Sequence, residues 1–191
     1  MIGIALGAAS FLVVFWVDAA SLKGLRRLKP ALWVVSLGLF GTGLALCLLR
    51  PERVRFPLAG RVAAGGVATA FLFLLLWSLV FEIPFVSAYV APGRPSHLVT
   101  EGTYALCRHP GVLWLSGFLI CLFFATGSIE LLAAMPLWIA LDTAYVVLQE
   151  KIFFDRLFGD DYAAYRRSVP MLFPTAASIG RCARTVFRKG N

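Results

Sequence analysis

The chain has 191 residues, 60% of them apolar and only 15% charged, with a mean hydropathy of +0.82. Soluble domains run near half apolar and a quarter charged, and disordered chains are poorer still in apolar residues, so both classes are excluded. The net charge of +8 does not point to nucleic acid, because the 18 Lys and Arg lie between and after apolar blocks, the pattern of cytoplasmic loops in a membrane protein.

Five apolar stretches follow in chain order, at residues 2–20, 31–49, 64–83, 112–127 and 129–149. At about 20 residues per crossing they predict an all-α integral membrane protein with about five transmembrane helices. The first stretch has no basic segment before it and no small-residue cleavage site after it, so it reads as a retained helix. Pro84 is expected to kink or end the third. Gly127-Ser128 alone separates the fourth from the fifth, which predicts a tight antiparallel hairpin. The chain divides into N-terminal helices (1–90), a core of loop, hairpin and following helices (91–174), and a basic tail (175–191).

Loop charges set the orientation. With five crossings, residues 21–30, 91–110 and everything after Gln149 share one side, which holds fourteen of the basic residues. Arg50, Arg53, Arg55 and Arg61 lie on the other. This bias places the N-terminus outside and the C-terminus in the cytoplasm. The four cysteines (Cys47, Cys107, Cys121, Cys182) form no CxxC pair, so neither a metal site nor a disulfide framework follows from them.

Two polar constellations then face the cytosol together. The first runs from Ser96-His97 through Leu98-Val99-Thr100, Gly102 and Tyr104 to Arg108-His109-Pro110. Pro110 suits the first position of a helix, which makes His109 the N-cap. A helix N-terminus with free N–H groups, a guanidinium and an imidazole suits a phosphate or carboxylate. Interfacial contact with lipid phosphate is the alternative. The second constellation carries Glu150, Phe158-Gly159, Asp160-Asp161, Tyr162, Tyr165 and Val169-Pro170. Gly159 reads as a helix stop and the aspartates as a cap for a short helix with Tyr162 and Tyr165 on one face. Glu150, at the wet end of the fifth helix, faces the Arg-His pair. It is placed either to bind an ammonium or hydroxyl group or to form a salt bridge with Arg108.

In this order around a helical hairpin, the two blocks resemble the isoprenylcysteine carboxyl methyltransferases and their phospholipid methyltransferase relatives. The likeness covers roughly residues 96–174 and rests on Leu98-Val99-Thr100, Gly102, Tyr104, Arg108-His109-Pro110, Glu150, Phe158-Gly159, Tyr162, Tyr165 and Val169-Pro170. It implies S-adenosylmethionine as cofactor, with Leu98, Val99, Tyr104, His109, Pro110 and Glu150 lining its pocket on the cytosolic side. The cofactor's carboxylate would meet the Arg108/His109 helix terminus, its α-amino group Glu150, and its sulfonium an aromatic ring such as Tyr104. The chain departs from the family at Val112 and Val146, where a tyrosine and a substrate-binding arginine are usual. The family's glutamate run is also reduced to Gln149-Glu150-Lys151.

Asp18, Glu82 and Asp142 fall in or near apolar runs, where a charge costs a few kcal/mol. Asp142, Val146 and Glu150 share one ridge of the fifth helix, so Asp142 is expected in the same cavity about 12 Å deeper. Arg108 and Asp142 are the candidate catalytic residues, Asp142 to polarise a substrate or take its proton, though an interhelical hydrogen bond explains it as well. Glu82, beside Pro84, is expected to bond a backbone carbonyl freed by the kink. In the tail, Arg181, Arg184 and Arg188 lie opposite Ile179, Val186 and Phe187, a basic amphipathic segment for an anionic membrane surface.

The expected activity is methyl transfer from S-adenosylmethionine to a lipophilic or membrane-bound small molecule, an isoprenylcysteine-type carboxylate or a lipid, with no nucleic-acid partner. Two alternatives stay open: an NADPH-dependent membrane reductase of the related sterol reductase group, and a membrane protein that keeps the fold without the chemistry.

Overall fold

The computed structural model describes residues 1–22, 25, 28–83 and 98–188. Five apolar helices form in chain order: α1 (Ile2–Leu22), α2 (Leu28–Leu49), α3 (Leu58–Leu76), α4 (Pro110–Thr126) and α5 (Ile129–Gln149). Helix α3 runs on as a π-helical turn, Trp77–Glu82, and α5 as another, Glu150–Phe154. Three shorter helices follow: α6 (Asp155–Phe158), α7 (Asp160–Ser168) and α8 (Ala176–Arg188). Four spans, Ile2–Ala20, Leu28–Leu49, Leu58–Glu82 and Ile129–Phe154, are long and apolar enough to cross a membrane; α4 is apolar but shorter, at 17 residues. Lys23, Arg26, Arg27, Pro84, Ser96, His97 and the boundary expected at 90/91 lie outside the described residues.

Why these segments belong in lipid follows from what the helices leave uncovered. Leu12 of α1, Val34 of α2, and Val62 and Phe73 of α3 are each at least 60% exposed, on faces of three helices that no other described element covers. A water-soluble chain would aggregate through such a surface. Hydrocarbon instead asks that backbone groups be satisfied within each segment, which helices do.

The helices pack as two antiparallel pairs, α1 with α2 and α3 with α4, with α5 lying against both. Small residues set the first pair. A Cβ on Gly43 would come within 2.7 Å of Gly3 O and Gly7 N, so only glycine lets α1 and α2 approach this closely. Trp138 of α5 fills the space beside Gly7 and donates to Ile4 O at 3.1 Å. Phe11, Leu119, Phe123, Leu131 and Trp138 complete this core.

At one end of the bundle, Gly127 adopts φ 71° and Ser128 caps α5 by accepting from Leu131 N at 3.2 Å. The expected tight turn forms. The residues between α2 and α3 close over it: Val54 N donates to Gly127 O at 2.8 Å, and Ile129 N to Glu52 O at 3.2 Å. Three arginines of this end are tied down here. Arg53 donates to Thr126 O at 3.0 Å and Arg61 to Ala125 O at 3.0 Å, satisfying the last carbonyls of α4, while Arg50 pairs with Glu130 at 3.0 Å. Arg61 therefore sits inside α3, which begins six residues before the apolar stretch at 64.

The opposite end carries the polar blocks. Glu82 takes a role other than the one expected of it. Its carboxylate accepts from Thr103 N at 2.9 Å and from the Thr103 hydroxyl, holding a short 3-10 turn, Gly102–Ala105, against the end of α3. Gly102 has φ 65°, and a Cβ there would overlap that carboxylate. Helix α8 packs on the same turn, where Thr185 Oγ1 accepts from Gly102 N at 3.1 Å. Its Ser178 is buried, Cys182 and Thr185 are half-buried, and Ile179 faces outward, so the segment is amphipathic as expected.

Candidate functional site

Pro110 opens α4 and His109 is its N-cap, at φ −126° and ψ 67°, outside the helical region that a following proline disfavours. This non-helical stretch pairs with the end of the second block: Arg108 N donates to Pro170 O at 2.9 Å and His109 N to Met171 O at 3.2 Å. The Arg108 side chain reinforces the clamp through Nη1, which donates to Val169 O at 2.7 Å and Arg166 O at 3.2 Å. Val169-Pro170 thus supplies carbonyls that hold Arg108-His109 in place.

Glu150 enters from the π-helical turn after α5. Its Oε1 accepts from Arg108 Nε at 2.8 Å, its Oε2 from Arg108 Nη2 at 3.1 Å, and Oε1 also lies 2.8 Å from His109 Nε2. The carboxylate is only 6% exposed, not at the wet end of a helix as the sequence suggests. Nor does it line the cavity described below. Glu150 N still bonds to Val146 O in the α-helical pattern, so the residue stands about 80° round the helix from Asp142, off the cavity and toward the start of α4. Arg108 likewise makes four hydrogen bonds and is not turned outward to meet an anion. Burial alone would lower its pKa, but the hydrogen bonds and charge of Glu150 outweigh that and hold the guanidinium above its ordinary value.

His109 keeps one ring nitrogen uncommitted. Nε2 faces Glu150, the ring stacks on Phe154 at 6.2 Å between centroids, and Nδ1 has no hydrogen-bond partner among the described residues. Beside it, Tyr162 and Tyr165 share the inner face of α7. Tyr165 donates to Tyr104 O at 2.6 Å, joining the two blocks a second time, and burial pushes its phenol pKa up. The Tyr162 hydroxyl is buried beside Arg108 and Glu150 without full hydrogen-bonding geometry to any described residue; burial first, and the nearby Glu150 carboxylate as hydrogen-bond acceptor and charge second, push its pKa up. Neighbouring Cys107 is fully buried, and burial raises its thiol to about 12.

These groups surround a cavity of about 370 Å³ between the two helix pairs, within the range of small-molecule sites. Leu98, Val99, Tyr104, Arg108, His109 and Pro110 line its polar end together with Phe154, Phe158, Tyr162 and Tyr165. Asp142 lines it too, deeper along α5 beside Val146, as the helical ridge predicts. Seven of the eight candidate residues therefore share one wall system, and Glu150 stands behind it.

Sequence reasoning passed over a second polar group of this cavity. Asp18 of α1 accepts from Tyr145 Oη at 2.7 Å and from Gln149 Nε2 at 2.9 Å, and all three line the cavity along with Lys29 of α2. Tyr145 and Gln149 stand one helical turn apart on α5, an i, i+4 pair that marks a polar face. Their partner more than 120 residues away could not be read from that spacing.

Comparison of the chain with protein-family models, with curated proteins and with solved structures gives no match in any of the three.

Proposed function

We propose that this protein is an integral membrane methyltransferase that takes S-adenosylmethionine from the cytosol and a lipophilic acceptor from the bilayer. The observation that carries this reading is the meeting of both sequence blocks around one cavity: Leu98, Val99, Tyr104, His109 and Pro110 from the first, Tyr162 and Tyr165 from the second. The cavity suits such a cofactor. It offers the N-terminus of α4, where His109 makes no side-chain capping bond. It also offers the Tyr162 hydroxyl, the Nδ1 of His109, which has no partner among the described residues, and several aromatic faces for an adenine ring or a sulfonium. When bound, the cofactor supplies a methyl group already activated on sulfur.

The chain's own contribution is then position and dryness. Tyr104, His109, Pro110 and the α4 terminus hold the cofactor end of the cavity. Glu150 acts one step back, neutralising Arg108 and fixing the His109 ring. The apolar walls exclude water, and alignment of reactants of this kind lowers barriers by about 7–11 kcal/mol in the best intramolecular cases. Asp142, at the deep end, is placed to polarise the acceptor or to take its proton.

The proposal includes five crossings, with the N-terminus outside and the cavity's polar end in the cytosol. The arginines of the outer end support it. Arg50, Arg53 and Arg61 are bonded to Glu130 and to helix carbonyls, which accounts for their place against the positive-inside trend. Helix α8 would lie along the cytoplasmic lipid surface. A nicotinamide dinucleotide fits less well, because the basic residues lining the cavity are Lys29 and Arg108, and Glu150 already matches Arg108.

The test is methyl transfer. Inverted membrane vesicles carrying the protein, given S-adenosylmethionine with a radiolabelled methyl group, should place label in the lipid-soluble fraction. A His109→Ala variant that folds should lose that label. Absence of labelled product with the native chain across lipid extracts from varied sources would refute the proposal.

A further inference from the structure

The deep end of the cavity has a chemistry of its own, separate from the Arg108–His109–Glu150 cluster. The cavity's other polar side chains are largely engaged. Ser10 donates to Gly7 O at 2.6 Å and Ser36 to Ser10 O at 3.1 Å, while Asp18, Tyr145 and Gln149, toward the polar end, bond one another. Asp142 is different. It lines the cavity, yet its carboxyl makes no hydrogen bond or ion pair among the described residues. An acid left without a partner in a membrane-spanning helix costs a few kcal/mol, and such residues mark substrate or ion sites. Phe11, Phe40 and Leu115, which pack in the apolar core, line the same cavity.

A route from the bilayer suits this lobe. Phe40 and Leu37 of α2 and Leu75 and Leu79 of α3 line the cavity, while the main packing of α2 is on α1 and that of α3 on α4. A hydrocarbon chain entering between α2 and α3 would therefore leave the two main helix pairs intact.

We infer that this lobe binds the head of a membrane amphiphile that donates a hydrogen bond, an ammonium or a hydroxyl, to Asp142, with the hydrocarbon chain lying between α2 and α3. A carboxylate or phosphate head is disfavoured beside Asp142, because it would set a second negative charge against it where the dielectric is low, and the cavity's Lys29 already faces Asp18. The inference rests on the methyltransferase proposal only in naming this ligand as the acceptor; the binding itself needs no cofactor.

The test uses the full-length protein in nanodiscs of uncharged lipid, without cofactor, and three dodecyl photoaffinity probes ending in an amine, a hydroxyl or a carboxylate. The amine and hydroxyl probes should label peptides of α2, α3 and α5 saturably, with the carboxylate probe far weaker. Unlabelled dodecylamine should displace the amine probe and dodecanoate should not. Asp142→Asn, which removes no bond within the protein, should fold as well as the native chain and weaken amine binding about tenfold or more, as expected for loss of a charge-assisted hydrogen bond. Equal labelling by the carboxylate probe, or no saturable labelling by the amine and hydroxyl probes, would overturn the inference. Unchanged amine affinity in Asp142→Asn would do so as well. If that variant does not fold, the displacement series on the native protein decides alone. Cofactor binding, measured separately with S-adenosylhomocysteine, shows whether the methyltransferase proposal stands when this one fails.

Discussion

Replacing Glu150 by glutamine should damage the fold before it damages ligand binding. The carboxylate accepts from Arg108 at 2.8 and 3.1 Å and lies 2.8 Å from His109 Nε2, with the side chains of all three residues no more than 8% exposed. Glutamine keeps the shape and one oxygen, but it turns an amide toward one of the guanidinium N–H groups and leaves Arg108 buried without a counter-charge. Removing one member of a buried pair costs about 3–5 kcal/mol, against about 0–1 kcal/mol for an exposed pair. Arg108 keeps its bonds to Val169 O and Arg166 O, so the lower part of the buried range, about 3 kcal/mol, is expected. The assay is reversible unfolding in mixed micelles, followed by tryptophan fluorescence, for Glu150→Gln, Arg108→Gln and the double variant. The double variant should cost less than the two single changes summed, by about 1–3 kcal/mol. Additive losses, or a Glu150→Gln cost below about 1 kcal/mol together with abolished cofactor affinity, would refute this reasoning and return Glu150 to the cavity wall.

Gly102→Ala should reduce the folded yield sharply, since its positive φ and the Glu82 carboxylate leave no room for a methyl group; a native-like elution profile and melting curve would contradict this. Tyr165→Phe removes the 2.6 Å bond to Tyr104 O and should cost about 0.5–1.5 kcal/mol, the net contribution of one hydrogen bond, measured by the same unfolding assay. Cys107, with its pKa pushed up to about 12, stays protonated below that pH, so at pH 8 a maleimide should reach it only after unfolding. Mass mapping of the labelled cysteines in native and unfolded protein checks this.

What could be read from the sequence was mainly local. Apolar runs marked the five helices, and Pro110 fixed the start of α4 with His109 as its cap. Gly127-Ser128 marked the turn before α5, and the ridge of Asp142 and Val146 pointed Asp142 into the cavity. Of the long-range pairs, the Glu150–Arg108 salt bridge was one of the two readings the sequence left open, and the structure has it. The burial of Glu150 was not legible, because the Val169 and Arg166 carbonyls that hold Arg108 against it come from a later element. Asp18 and Glu82 both read as isolated charges in apolar runs. Their partners, Tyr145 with Gln149 and Thr103, lie on elements brought alongside by tertiary packing. Arg61 shifted the start of α3 because its charge is absorbed by a carbonyl at the end of α4, a contact set by the antiparallel pairing of those helices.

The most direct measurement is equilibrium binding of S-adenosylhomocysteine to the purified protein, compared with NADPH under the same conditions by thermal shift and titration. The account predicts saturable binding of S-adenosylhomocysteine, with stabilisation of about 2.7 kcal/mol at a hundredfold excess over Kd. His109→Ala should weaken that binding, and NADPH should give none. A flat response to S-adenosylhomocysteine beside a clear, saturable shift with NADPH would contradict the account and assign the cavity to a reductase.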